Sequence, residues 1–339
     1  GYWSRGLGDV YKRQFMNNII NFVVENIQGN PRIDYYLSKN YKNLSRTKIK
    51  NLILNKFLKI NGQVVNSPSK KINLGDKIYL KIIEENKVTL KPYDYNLDII
   101  FEDKDILVLN KQSGISIHPG AGNYDKTVVN ALIKYCNKNL SDVGEKYRPG
   151  IVHRIDKDTS GLIIIAKNNL SHLKLSEQFK NHTIDRVYLA LVWGKIRPRS
   201  GRIENFIKRS VKNRQLMEVS LTKGKKAITN YKTIEVFESD KSPTFSLVEC
   251  KLETGRTHQI RVHLSNKGNH IVGDKHYKKK FKKITNVDEE LFNILNTLNR
   301  QFLHAASIRF THPVSNKRLF FNSKLPNDLE KLLKNLRNT

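Results

Sequence analysis

The run GLIIIAK at residues 161–167 sets the first constraint on the fold. It is apolar throughout, with no polar alternation, and so reads as a buried strand. Strands of similar character surround it in the sequence: FEDKDILVLNK with a turn in front, RVYLALVWG, ITNYKTIEVF and TFSLVECKLE. Helical patterns occur at TVVNALIKYC and NNLSHLKLSEQF, but they do not alternate regularly with the strands. A chain lacking βαβ alternation is expected to form an α+β domain on a mixed, mainly antiparallel sheet. No solenoid-type repeat is present.

A different unit precedes this one. Residues 16–30 carry a short apolar run that reads as a strand. Residues 33–40 fit a helix with Ile33, Tyr36 and Leu37 on one face, and Ser45 is the expected N-cap of a second helix carrying Ile49, Leu52 and Ile53. Asn61-Gly62 between two apolar runs predicts a two-residue hairpin, and LGDKIYLKI supplies another strand. Over residues 31–82, twelve Lys and Arg stand against Asp34 and Asp76, a net of +10, with Arg46, Lys48, Lys50 and Lys56 crowding the second helix. The expected organisation is a leader or sequence artefact at 1–15, a small basic domain at 16–82, a polar linker at 83–97, a larger domain at 98–325 and a basic amphipathic tail at 326–339.

The whole chain of 339 residues has 61 Lys and Arg against 31 Asp and Glu, a net of +30. Such a surface displaces counterions from phosphates, which points to nucleic acid as partner. Part of the excess matches the Lys, Asn and Ile bias of an AT-rich genome. Cys136 and Cys250 lie far apart without metal-ligand spacing, so neither a zinc site nor a disulfide framework is expected, and a reducing cytoplasm suits them. No apolar run approaches the ~18 residues of a membrane span, and no signal peptide is visible.

The chemistry concentrates in IVHRIDKDTSGLIIIAK, residues 151–167. His153, Arg154 and Asp156 occupy a loop that feeds the buried strand. Asp158, Thr159 and Ser160 can bond loop N–H groups, and Gly161 permits a sharp turn. Alone, an Asp in a turn is usually structural. The His-Arg-x-Asp order is also that of a kinase catalytic loop, but no glycine-rich loop with a strand lysine and no Asp-Phe-Gly segment accompanies it. No phosphate-binding P-loop is present, so no nucleotide cofactor is expected. His258 and His263 lack a third ligand nearby, which argues against a metal.

The string HRIDKDTSG resembles the HRLDxxTSG signature of RluA-type pseudouridine synthases, with Ile155 in place of Leu. ISIHPGAGN (115–123), RVYLALVWG (186–194), ETGRTHQIRVHL (253–264) and LHA (303–305) follow in that family's order, and HPGAGN is similar to the RluD-like branch. The likeness spans about residues 25–325. Gln112 departs from it, standing where the family usually has Pro, which should alter loop stiffness and not chemistry.

The resemblance implies a pseudouridine synthase domain behind an alpha-L, S4-like RNA-binding domain. It also implies Asp156 as the catalytic nucleophile, Tyr188 as the active-site tyrosine and Arg256 as the arginine pairing with Asp156. Taken alone, Tyr188 would read as a core residue and Arg256 as a surface charge. Arg154 would fill the space left by a flipped uridine, with His153 beside it, while Arg46, Lys48 and Lys50 would grip RNA. His153 has the alternative of simply bracing its loop. The implied enzyme is a cytoplasmic, monomeric, cofactor-free and metal-free isomerase of uridines in large-subunit rRNA. Two alternatives stay open at this point: the same chemistry on other rRNA or tRNA uridines, and a non-catalytic rRNA-binding assembly factor.

Overall fold

The computed structural model describes residues 19–41, 44, 46–82, 90–120, 122–137, 139–143, 147–240, 242–278 and 287–338. The expected leader, residues 1–15, and the expected N-cap Ser45 lie outside them. The chain divides into two compact units, with the boundary between residues 88 and 89.

The first unit contains β1 (Ile19–Val23), α1 (Ile33–Asn40), α2 (Arg46–Leu54), β2 (Leu58–Ile60), β3 (Gln63–Val65) and β4 (Lys77–Lys81). Its four strands pair in the order β1-β4-β2-β3. The Asn61-Gly62 turn forms as expected, with both residues at positive φ (51° and 82°). That geometry matches strand twist, and Asn61 tolerates it because its Oδ1 accepts from the Lys77 N–H at 2.8 Å. Ile33, Leu37, Ile49, Ile53, Leu58, Ile78 and Leu80 are fully buried between sheet and helices.

The second unit continues with β5 (Ile99–Glu102), β6 (Ile106–Lys111), α3 (Val128–Cys136), β7 (Ser160–Ala166), α4 (Asn169–Lys180), β8 (Asp185–Trp193) and β9 (Ser200–Arg209). It is completed by β10 (Met217–Ser220), β11 (Lys225–Ser239), β12 (Ser242–Leu252), α5 (Gln259–Asn266), α6 (Glu289–Thr297), β13 (Leu303–Thr311), β14 (Arg318–Asn322) and α7 (Asn327–Asn338). A ten-stranded sheet runs β10-β9-β11-β12-β8-β13-β7-β6-β5, with β14 added to β13. Only the β13–β7 pairing is parallel among the described strands, so the sheet is mixed and mainly antiparallel.

Why 161–167 is apolar throughout is now physical. In β6 and β7, Leu107, Leu109, Ile163 and Ile165 face one core with α3, α6 and α7, while Ile106, Val108, Leu162 and Ile164 face a second core with Leu175 of α4. A strand covered on both faces has no solvent side to carry polar residues.

The segments read as linker and tail fare differently. Residues 83–89 lie outside the described residues, but 90–97 lie against the larger unit: Tyr93, Tyr95 and Leu97 pack on its core, and the Tyr93 N–H donates to the Asn130 carbonyl at 3.0 Å. The tail is a helix, and Leu329, Leu332, Leu333 and Leu336 are buried in the main core. A helical stripe at spacing i, i+3, i+4, i+7 buries itself wherever a complementary surface exists. Position 325 is therefore not a packing boundary.

Candidate active site

Asp156 stands at the start of a turn closed by the Thr159 N–H donating to the Asp156 carbonyl at 3.1 Å, immediately before β7. Several buried groups hold that turn. Lys111, at the end of β6, donates from Nζ to the carbonyls of Gln112, Ile115 and Lys157 at 2.7–3.0 Å. Gln301 donates to Thr159 Oγ1, and Arg300 donates to Ser160 Oγ. Gly161 completes the frame: a Cβ there would lie 2.3 Å from the Ala305 carbonyl oxygen, so only glycine lets β7 meet β13 in parallel. Gln112, the departure noted in the sequence, accepts from the Tyr95 hydroxyl at 3.0 Å.

The carboxylate of Asp156, only 16% exposed, accepts from Arg261 Nη1 at 3.0 Å. Arg261 is itself buried on α5 and donates through Nε and Nη2 to both oxygens of the fully buried Asp274, at 2.7 and 2.9 Å. Burial opposes the Arg261 charge, but the Asp274 and Asp156 carboxylates overcome it and raise its pKa. Burial likewise opposes the Asp274 charge, and Arg261 with the N–H groups of His276 and Tyr277 holds its pKa low. The chain Asp274–Arg261–Asp156 is a fixed line of alternating charge.

This corrects one expectation. Arg256 does not pair with Asp156; its Nε donates to the Lys226 carbonyl at 2.9 Å. The helix explains the difference. Gln259 caps the TGRTHQ turn by accepting from the Arg256 N–H and Thr254 Oγ1 and donating to Ile228, which pins the turn to β11. Arg256 stays in that turn, whereas Arg261 lies on the inward face of α5 between the buried Ile260 and Val262. A lone arginine inside an apolar helical stripe was the available signal. Nothing in the sequence pointed to Asp274.

Arg154, Asp156, Arg186, Tyr188, Gly255, Arg256, His258 and Arg261 line one open cleft. Tyr188 is buried on β8, and burial raises its phenol pKa, with Arg186 opposing and Asp156 adding. His258 adopts φ 55° and places Nε2 4.0 Å from Asp156, while its Nδ1 meets the Tyr277 hydroxyl at 2.8 Å. Burial lowers the His258 pKa, so the ring is neutral at pH 7. The Arg261 guanidinium lies over the Tyr277 ring at 5.0 Å, and burial pushes the Tyr277 phenol up to about 12.

Arg154 is exposed at the cleft. His153 is turned the other way, which corrects its assignment to an RNA-facing role: Nε2 accepts from the Ile164 N–H at 2.8 Å, and the ring stacks on Phe179 with centroids 4.7 Å apart. It braces the loop because burial holds it neutral, with a pKa of about 3. In the other unit, Arg46 reaches Asp34 at 3.3 Å alongside Arg32, Lys48 is half-buried and Lys50 is exposed.

The His263 nitrogens are engaged by Thr229 and Asn205. Asp103, Asp105 and His312 are the one group with metal-like spacing among the described residues, but both Asp103 oxygens, Asp105 Oδ1 and both His312 nitrogens are engaged in hydrogen bonds to protein.

The chain is similar to known proteins in both units. The family model for RNA pseudouridylate synthase matches residues 105–266, and that for the S4 domain matches residues 31–78. Ribosomal large subunit pseudouridine synthase D of Zymomonas mobilis is 42% identical over 307 residues, covering 90% of this chain and 93% of that protein. The protein of the same name from Blochmanniella floridana is 39% identical over 317 residues, covering 92% and 96%. Among solved structures, human RNA Pseudouridylate Synthase Domain Containing 4 is similar in fold, with a TM-score of 0.54 at 24% identity over 70% of this chain and 92% of that one.

Proposed function

Because the chain belongs to the RNA pseudouridylate synthase family, we propose that it isomerises uridines of large-subunit rRNA to pseudouridine, with Asp156 as the catalytic carboxylate. The observation that carries this reading is the Asp156–Arg261 pair at 3.0 Å, held rigidly in a cleft that also contains Tyr188. The reaction breaks the bond between ribose C1′ and uracil N1, turns the base and forms a bond from C1′ to C5. The C5 proton leaves and N1 gains one. A carboxylate fixed beside a cation can attack the ribose or the base, or stabilise a glycal-like intermediate, and Arg261 orients it for any of the three. Tyr188, its phenol kept protonated by burial, offers a ring for the uracil to stack on and a relay for the proton at carbon.

A uridine in a folded RNA must first leave its stack, at a cost of a few kcal/mol. In this reading Arg154, which is exposed at the cleft, occupies the vacated position, and its planar guanidinium suits that role. Arg256 borders the same cleft and contributes positive charge to RNA binding. The S4-like unit, with Arg46, Lys48 and Lys50 on α2, grips RNA phosphates and sets position, not sequence. In this reading, which follows the family resemblance, the enzyme acts in the cytoplasm as a monomer and uses neither cofactor nor metal.

The test is tritium release from large-subunit rRNA transcribed with C5-tritiated uridine, on free RNA and on large subunits. Release by wild type and none by Asp156→Asn, with RNA affinity retained within a few-fold, is the expected result. Release by both proteins would remove Asp156 from the reaction. Release from tRNA transcripts alone would move the substrate away from rRNA.

A further inference from the structure

Arg186 is a buried cation that the chemistry above does not use. It is only 8% exposed, on β8 two residues before Tyr188. Residues i and i+2 of a strand share a face, so both point toward the same cleft, and both line it. No carboxylate pairs with Arg186, and its Nε is buried without a hydrogen-bond partner among the described residues. Burial lowers its pKa, and the group opposing that is the Tyr188 phenol, not a carboxylate. The neighbouring arginine Arg261 is different in kind, being fully engaged by Asp274 and Asp156. A buried charge without a partner costs several kcal/mol, so its retention in a cleft calls for an anion that arrives from outside.

The surroundings of Arg186 are built around its pose. Its guanidinium lies over the Phe179 ring at 5.3 Å, and the His153 ring stacks on the same Phe179 ring at 4.7 Å. His153 is neutral, so the stack holds a single cation. Gly255 is exposed and has no positive φ that would demand glycine. A Cβ at 255 would lie 2.7 Å from Arg186 Nη1, with Cζ and Nη2 at 3.7 and 3.8 Å, so a side chain there would push the guanidinium out of this pose. The absence of a side chain at 255 leaves the guanidinium edge uncovered toward the cleft.

We propose that Arg186 binds a backbone phosphodiester flanking the target uridine, which enters past Gly255 and seats the ribose against Asp156. A phosphodiester carries one negative charge and acceptor oxygens that match a guanidinium edge. Stacking on Phe179 fixes the plane of that edge before RNA arrives, so the contact sets position as well as affinity. The inference rests on the uridine-isomerase reading above, because it names how that substrate is seated.

The experiment pairs protein variants with substrate variants. A synthetic stem-loop carrying the uridine modified in rRNA is made with native phosphates, or with an uncharged methylphosphonate on either side of that uridine. Wild type, Arg186→Gln, Arg186→Lys and Gly255→Ala are compared by kcat/KM, with thermal unfolding as the check on folding. With wild type, one methylphosphonate lowers kcat/KM about 30-fold or more, the scale of losing one partner of a buried charge pair. Arg186→Gln shows a similar loss on native RNA and little further loss on that methylphosphonate. Gly255→Ala keeps the charge but displaces the guanidinium and follows the same pattern, so the assignment survives even if Arg186→Gln does not fold. Folded variants whose penalties simply multiply with those of both methylphosphonates would overturn the phosphate contact. Wild-type turnover on the native stem-loop tests the isomerase reading separately from the Arg186 assignment.

Discussion

Replacing Arg261 by Gln should harm folding and chemistry through two different carboxylates. Asp274 has no exposed side-chain surface and would lose both bonds from Arg261. Removing one partner of a buried pair costs about 3–5 kcal/mol. The N–H groups of His276 and Tyr277 still reach Asp274 Oδ1, at 2.9 and 3.1 Å, which favours the lower part of that range. In a unit running from Thr89 to Thr339, each kcal/mol shifts Tm by about 2–4 °C, so the expected fall is roughly 6–12 °C for ~3 kcal/mol. Asp156 loses the bond at 3.0 Å that orients it, and misplacement of a reacting group by about 1 Å costs on the order of 100-fold in rate. Adding Asp274→Asn should recover part of the stability, because no uncompensated charge is then buried, and should leave activity low. Thermal unfolding by circular dichroism and single-turnover tritium release at a temperature where both proteins are folded separate the two effects. An Arg261→Gln protein that melts within about 1 °C of wild type would refute the stability argument. A greater loss of single-turnover rate in Arg256→Gln than in Arg261→Gln would refute the assignment of the pairing arginine.

Deleting residues through 88 removes the basic S4-like unit, so RNA binding should weaken and its log–log salt slope should become shallower, with the larger unit still folded; an unchanged slope would contradict a phosphate-gripping role. Truncation before α7 takes four buried leucines from the main core, each contributing about 1.5–3 kcal/mol by transfer from water, so a chain ending at 325 should be insoluble or unfolded at 37 °C, and a soluble cooperative melt would show otherwise. Acid should destabilise the larger unit well above the carboxylate range. His153, His263 and His304 are lowered by burial to about 3, 4 and 4, below the unfolded value of ~6.5. The unfolded chain then binds more protons, so their stabilisation is complete above pH ~6.5 and is lost as pH falls towards 4. His304 alone accounts for a change on the order of 3 kcal/mol, and a denaturant midpoint that stays level from pH 7 to 4.5 would disprove the coupling.

Local chemistry determined much of this protein from sequence alone. Asn61-Gly62 specifies its turn because two adjacent residues carry the required φ values. The apolar 161–167 run specifies a strand covered on both faces, and the ordered motifs placed Asp156 in the loop feeding it. What stayed out of reach depends on phase and distance. Arg256 and Arg261 lie five positions apart in one motif, and only the start of α5 and its rotation decide which one meets Asp156. Asp274 is joined to that pair through space, and Arg186 is distinguished by the carboxylate it lacks, a property no sequence window contains. The last helix reads as a charged tail until a core exists to receive its leucines. Short-range geometry is written in residue type and spacing, whereas the partners of buried charges are fixed only when the sheet brings distant segments together.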